Sequence, residues 1–360
     1  SKPEINVREK ISELDKPSGT AGQAMLAAET PQEQFNLIGA GRRNLIINGA
    51  MQVAQRSTSV AGIGANGTAY HTLDRWQIET GGSNSGRFTM SQSSDAPSGF
   101  GSSLKLDCTT ADTSIGTSEY LLLEYRIEGQ DVQRIKKGTS DAEEITISFY
   151  VKANASFNFV LEVKDETNNR TCSKLFFTTT GWNRVEITYP ADTTGEIVNS
   201  NAQGIRLFFW LHAGSTFTSG TLNSSSFNTE AASKRASGIS SFYSSTDNEF
   251  YITGVQLELG KVATPFEHRS YGEELAACQR YYYQNTNPSF YACQYVSSHK
   301  FVQWPHPVYM RASPSATVTY SSGSFTAYQI DNKHFKAYIS SSYTDTSGYH
   351  VTSYKLDAEL

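Results

Sequence analysis

The chain has 360 residues and a mass of 39.6 kDa, which at about 150 residues per domain suggests roughly two folded units. Hydrophobic residues make up 38%, charged residues 18% and aromatics 12%, with a polar remainder rich in Ser, Thr, Asn and Gly; this is a β-rich profile that excludes a coiled-coil rod, and 27 glycines without a period of three exclude collagen. The net charge is −5, and the 30 basic residues are scattered rather than clustered, which argues against nucleic acid as a partner. With 20 Tyr, 19 Phe and 4 Trp, the chain has too much apolar ring surface for global disorder. No stretch approaches the roughly 20 apolar residues of a membrane span, so no membrane insertion is expected. The opening Ser1-Lys-Pro-Glu4 lacks the apolar core of a signal peptide, and Cys108, Cys172, Cys278 and Cys293 are spaced like neither a zinc knuckle nor a disulfide framework. Both features lead to the expectation of a protein made in a cytoplasm, with free thiols.

Residues 1–43 stand apart. Ile5, Val7, Ile11 and Leu14 mark a short charged segment ended by Pro17-Ser-Gly19. Two short helices are predicted after it, at 20–29 and 30–39; the second has Thr30 as N-cap, Pro31 at its first position, Glu33 as capping-box partner and Gly39 as its stop. Isolated helices this short rarely persist, so they require a partner, either a copy of themselves or a larger assembly.

From Asn44 onward, short apolar or alternating runs are separated by Gly, Ser, Asn and Asp. Strands are predicted at 44–53, 74–80, 86–92, 103–109, 118–127, 144–153, 156–164, 171–178, 182–189, 204–212 and 248–259, with one helical turn near Gly129–Lys137. Strands at this spacing predict a mainly β chain with a β-sandwich (jelly-roll) body over 44–270, whose core includes Trp76, Phe149, Val151, Trp182, Leu207, Phe209 and Val255. The polar stretch 213–247 reads as a long exposed excursion. A smaller C-terminal β domain is predicted over 271–360, entered through a helical turn at Tyr271–Tyr283, with strands near 290–304, 315–321, 325–339 and 349–356.

Several segments, taken in order, resemble the fibre proteins of tailed bacteriophages. Lys16-Pro-Ser-Gly-Thr-Ala-Gly-Gln-Ala-Met-Leu-Ala-Ala-Glu-Thr-Pro-Gln-Glu-Gln-Phe-Asn-Leu-Ile-Gly39 is similar to the small-residue helical element near their virion-proximal end. Arg43-Asn-Leu-Ile-Ile-Asn-Gly-Ala-Met-Gln-Val-Ala-Gln-Arg56 followed by Leu73-Asp-Arg-Trp76 resembles the opening of a jelly-roll module like those of carbohydrate-binding modules. Ile147-Ser-Phe-Tyr-Val-Lys-Ala153, Gly181-Trp182, Ile252-Thr-Gly-Val-Gln-Leu-Glu-Leu-Gly260, Ala263-Thr-Pro-Phe-Glu267 and Glu274-Leu-Ala-Ala-Cys-Gln-Arg-Tyr-Tyr282 complete the pattern, which covers about residues 16–285 and is weaker beyond. The resemblance implies a structural protein of the virion: a homotrimeric tail fibre, docked on tail or baseplate proteins through residues 1–43, with Ile5, Val7, Ile11 and Leu14 in the docking segment, and contributing to recognition of a host surface glycan. A head fibre, capsid decoration or tail adaptor with no receptor contact fits the same pattern.

Gly62-Ile-Gly64-Ala-Asn-Gly67 has the letters of a dinucleotide fingerprint but leads into a strand rather than a helix, so it is read as a loop and no cofactor is expected. Asp74, Glu119 and Glu124 are the carboxylates a hydrolytic fibre would draw on, but loop acids occur in any sandwich, and no enzymatic activity is expected; Asp74 beside Arg75 reads as an ion pair or turn cap. His299 and His306 flank Trp304, and no metal site is expected from them. Aromatic side chains carry the strongest binding signal, because the apolar faces of sugar rings stack on them. The C-terminal domain has more of them than so small a core can enclose; trimer packing and receptor contact both account for the excess. Trp304, Tyr309, Tyr291 and Tyr328 are the receptor-binding candidates, with Trp304 and Tyr309 at a Pro305-His-Pro307 turn, although Trp304 packed on its own sheet is an equal reading.

Overall fold

The structure, a computed structural model, describes residues 20–27, 34, 42–286, 288, 292–296, 299–322, 326–340 and 350–360. Of the two short helices predicted near the start, helix α1 forms at Thr20–Ala27; the second, and the segment carrying Ile5, Val7, Ile11 and Leu14, lie outside the described residues, as does Tyr291.

Alternation of apolar and polar residues builds two antiparallel sheets that face each other. The first runs β1 (Ser59–Ile63), β4 (Arg87–Ser93), β5 (Ser103–Thr110), β13 (Glu249–Leu259), β7 (Ile145–Ala153), β10 (Asn183–Tyr189). The second runs β12 (Asn228–Thr229), β9 (Arg170–Phe177), β8 (Asn158–Asp165), β11 (Gln203–Ala213), β6 (Tyr120–Glu128), β3 (Trp76–Gly81), β2 (Gly67–Tyr70). The chain crosses repeatedly between them, as a jelly roll requires. Their inner faces supply one core: Leu104, Leu106, Ile147, Phe149, Ile252 and Leu257 from the first sheet meet Trp76, Leu123, Leu161, Leu207 and Phe209 from the second. At β13 the alternation breaks between Thr253 and Gln256, and Gly254 takes φ +62°; a Cβ there would lie 2.7 Å from the Phe100 ring and 3.0 Å from that of Tyr150. The bulge turns both Ile252 and Val255 into the core.

Three expectations are corrected. Residues 44–53 form turns and no strand, with Asn48 and Met51 in the left-handed region at φ 59° and 56°. Trp182 is half-buried outside the core: Val185, Ile187 and Tyr189 point inward along β10, so the even-numbered neighbour points out, edge-on to Tyr251, with Nε1 donating to Asp95 Oδ1 at 2.9 Å. The stretch 213–247 is no free excursion, because a few apolar residues among its Ser and Asn, Phe217, Leu222, Ala236 and Ile239, pack on the outer face of the second sheet against Leu122, Val160, Phe208 and Trp210.

Segment 44–53, whose residues carry much of the family resemblance, proves to be a buried polar latch. Asn44 Oδ1 accepts from Ile46 N and Leu257 N, while Asn48 Nδ2 donates to Val53 O and Asp74 O, and its carbonyl accepts from Trp76 Nε1. Asparagine side chains thus replace a strand ladder for backbone that is buried and must be paired. Helix α2 (Tyr271–Gln279), opened by a Ser270/Glu273 capping box, closes the latch: Glu274 Oε1 accepts from Asn48 N, and Cys278 packs with Ile47, Val53 and Tyr281. Cys108, Cys172 and Cys278 are buried free thiols.

Beyond α2 lie two small antiparallel sheets, β14 (Tyr282–Thr286), β20 (His350–Asp357), β17 (Ser315–Ser322), and β15 (Ala292–Val296), β16 (His299–Pro305), β19 (His334–Ser340), β18 (Thr326–Ile330). Their core is Trp304, Met310, Phe335, Tyr354 and Leu356. Residues 356–360 return to the sandwich, where Ala358 N donates to Tyr281 O at 2.8 Å and Arg126 donates to the Leu360 carbonyl.

Candidate functional site

The outer face of the second sheet is covered at one end by residues 213–247 and at the other by the returning segment 356–360. Between them is a cleft of about 180 Å³ lined by Glu79 of β3, Tyr120 and Leu122 of β6, Lys164 of β8, Arg206, Phe208 and Trp210 of β11, and by Phe217 and Arg235 of the covering stretch. Alternation along β11 dictates this: Ile205, Leu207 and Phe209 face the core, so Arg206, Phe208 and Trp210 face the cleft. The unbroken run Leu207-Phe-Phe-Trp-Leu211 is the sequence mark of a strand buried on both faces, and it is the signal that could have located the cleft.

Aromatic rings form its wall. Phe217 packs edge-on to Tyr120 at 5.5 Å and tilted against Trp210 at 5.2 Å, and the Arg235 guanidinium lies 4.9 Å from the Trp210 centroid. The Arg206 guanidinium lies 4.4 Å from the Phe208 centroid. Every cation is matched. Arg206 is bonded to Glu124 and, at 3.1 Å, to Glu79; Arg235 grips Glu162 with two nitrogens and reaches Glu230 at 2.8 Å; Lys164 pairs with Glu230 at 2.7 Å. Burial acts to raise the Glu124 carboxyl, but the hydrogen bonds and charges of Arg206 and Arg126 overcome it and hold it below the ordinary carboxylate value. Burial and then the Glu79 carboxylate push the Tyr120 phenol up to about 12, so it stays a neutral donor, bonded to Glu79 Oε1 at 3.1 Å. Trp210 Nε1, which is buried, has no acceptor among the described residues. The cleft therefore offers the half-buried rings of Tyr120 and Phe217, a neutral phenol and a charge-balanced rim, with Trp210 buried beneath them. That combination is chemically suited to a polyhydroxylated neutral ring and lacks a strong field for an ion.

The carboxylates singled out in the sequence serve structure. Asp74 accepts from Gln55 N at 3.1 Å and lies 3.6 Å from Arg56, while Arg75 pairs with Glu359 instead of its neighbour; Glu119 Oε2 accepts from Gly116 N at 2.8 Å, and Glu124 is held by two arginines. Gly62, Gly64 and Gly67, all at positive φ, lie at the passage from β1 to β2.

Of the aromatic candidates in the C-terminal domain, Trp304 is a core residue and no surface contact. It is 1% exposed, stacked on Phe335 at 5.3 Å and 13°, because its position on β16 places the indole between the two small sheets. Tyr309, five residues on, is 66% exposed beyond the Pro305–Pro307 turn. Tyr328 falls on β18.

No protein-family model matches the chain, and no curated protein matches it. Similar solved structures are carbohydrate-binding modules: a CBM4 module at 11% identity, covering 59% of this chain and 97% of that one with a TM-score of 0.29; the CBM22-1 xylan-binding domain of Paenibacillus barcinonensis Xyn10C at 11%, 62% and 100%, TM-score 0.30; and the family 11 module of the Clostridium thermocellum cellulase Lic26A-Cel5E at 13%, 57% and 99%, TM-score 0.28. At these values the likenesses assign this chain no ligand and no role.

Proposed function

We propose that this chain is a structural protein of a tailed-bacteriophage virion, a trimeric tail fibre that docks by residues 1–43 and contributes to recognition of a host surface glycan without cleaving it. The ordered motifs from Lys16 to Tyr282 support the virion role. The observation that carries glycan binding is the cleft itself, with the half-buried rings of Tyr120 and Phe217 as its surfaces beside the polar rim of Glu79, Lys164, Arg206 and Arg235. Sugars bind where aromatic faces and a few placed polar groups converge. Because each guanidinium and ammonium already has its carboxylate, the bound unit is a neutral sugar.

Tyr120→Ala and Phe217→Ala should each weaken binding of neutral host-surface oligosaccharides at least tenfold in calorimetric titration, and prolonged incubation should release no reducing ends. Unchanged affinity in both variants removes the cleft from the reading. Immunogold labelling of intact particles tests the virion role separately: label on the tail supports a fibre there, label on the head assigns a head fibre or decoration protein, and no label on particles rejects the virion reading.

A further inference from the structure

The geometry points to a second binding site, on the C-terminal domain, for an acidic saccharide that stacks on Tyr309 and gives its anionic group to Lys333. Segment 305–310 is stitched to the turn 331–334: His306 N donates to Lys333 O and Met310 N to Asn332 O, both at 2.9 Å. Between them opens a cleft of about 260 Å³ lined by Pro305, His306, Pro307, Tyr309, Lys333 and His334. Its base is rigid, because Met310 and Trp304 are buried in the core below and two prolines fix the turn.

Charge distinguishes this cleft from the one on the second sheet. The Lys333 ammonium lies 5.1 Å from the Tyr309 centroid and has no carboxylate within 4.0 Å among the described residues. Asp331, two residues before it, is engaged elsewhere: its Oδ1 accepts from Lys333 N at 2.8 Å and His334 N at 2.7 Å and lies 3.7 Å from His334 Nδ1. Burial holds His306 below its ordinary pKa, against partial opposition from the Asn332 backbone, so that imidazole is a neutral hydrogen-bonding group. The site thus offers one large exposed ring and one uncompensated cation beside it. A sugar ring packed against the exposed part of Tyr309 on the Lys333 side brings a carboxylate or phosphate to the ammonium. Because the turn is already held, little conformational freedom is lost on binding.

The test uses the full-length chain, titrated with oligosaccharides bearing uronate, sialate or phosphate, their neutral counterparts, and inorganic phosphate alone. At least one acidic oligosaccharide should bind at least tenfold more tightly than its neutral counterpart and than inorganic phosphate. That binding should fall at least tenfold in both Tyr309→Ala and Lys333→Met, persist in Tyr120→Ala, and weaken as salt is raised. Both substituted side chains are at the surface, so melting temperatures should match wild type. No binding across the acidic set, or binding insensitive to both substitutions, overturns the site. Loss in Tyr120→Ala with none in Tyr309→Ala transfers the ligand to the sheet cleft and likewise overturns it.

Discussion

The guanidinium of Arg75 lies flat on the ring of Tyr281, 3.5 Å from its centroid. Arg75 is 1% exposed and also pairs with Glu359 and donates to Arg126 O at 2.6 Å, so one side chain ties the sandwich to helix α2's exit and to residues 356–360. Removing it leaves the Glu359 carboxylate, 4% exposed, with the longer contact to Arg56 at 3.3 Å as its remaining ion pair among the described residues. Arg75→Met should cost about 3–5 kcal/mol in urea unfolding. Arg75→Lys should recover little of this, because an ammonium cannot both stack and fork. Full stability in either variant would sink the claim.

Trp304 is buried against Phe335 and Tyr354. Trp304→Ala should lower stability by about 3–5 kcal/mol and the melting temperature by several degrees. A variant that melts like wild type would show that the indole contributes no packing, and would return Trp304 to the surface candidates.

His212 is fully buried, shares a hydrogen bond of 2.8 Å with Ser241 Oγ and lies 3.6 Å from Glu119. Burial pushes its pKa below the ordinary 6.5, with Glu119 opposing. Below pH 6.5 the unfolded chain takes up a proton that the native state refuses, so the stability this group contributes is complete above that pH and is lost as pH falls from 6.5 toward the folded value. His212→Gln should therefore show a shallower fall of the urea midpoint between pH 7 and 5 than wild type. Parallel curves would refute the assignment.

Gly254 sits at φ +62° with the Phe100 ring 2.7 Å from where a Cβ would be. Gly254→Val combines strain with overpacking and should cost about 1–3 kcal/mol or more, whereas Gly62→Ala, at φ +73° with nothing within 4 Å, carries strain alone and should cost less. Thermal melts of the two variants decide it, and a reversed order would be against the bulge.

The proposed homotrimer rests on the short helices expected from the sequence at 20–29 and 30–39 and on the aromatic excess of residues 271–360. Analytical ultracentrifugation at micromolar concentration should give three times the chain mass. A 39.6 kDa species alone would remove the fibre geometry from the proposed function.

Strand positions were legible wherever one face is buried, as at Leu104, Leu106 and Cys108, because the period of two is then enforced by the core. Strands β1 and β2 were not, since Ser59-Val-Ala-Gly-Ile63 and Gly67-Thr-Ala-Tyr70 are largely exposed and carry no alternation. Segment 44–53 read as a strand because its apolar residues are buried, yet Asn44 and Asn48 satisfy the backbone from their side chains, a substitution that hydrophobic patterning does not register. The sheet cleft was hidden for a related reason. Phe217 and Arg235 come from a stretch whose composition is that of a loop, and only the run through Phe208 and Trp210 betrays that something covers β11. Tyr309 and Trp304 are close neighbours in sequence, and nothing in their spacing tells which one turns outward.

The place of β13 at the middle of the first sheet bears on how the protein is made. Phe250 pairs with Leu106 on one side and Ala153 on the other, so β5 and β7 are joined through a strand that begins only at Glu249, long after β5 ends at Thr110 and β7 at Ala153. On the ribosome, everything up to residue 248 carries two half-sheets with open edges and apolar faces, and long-range pairing of this kind is slow. A nascent chain stopped short of Leu259 is thus expected to aggregate rather than fold as a smaller module, and truncated chains that end inside 213–247 should go to inclusion bodies whatever their solubility tag.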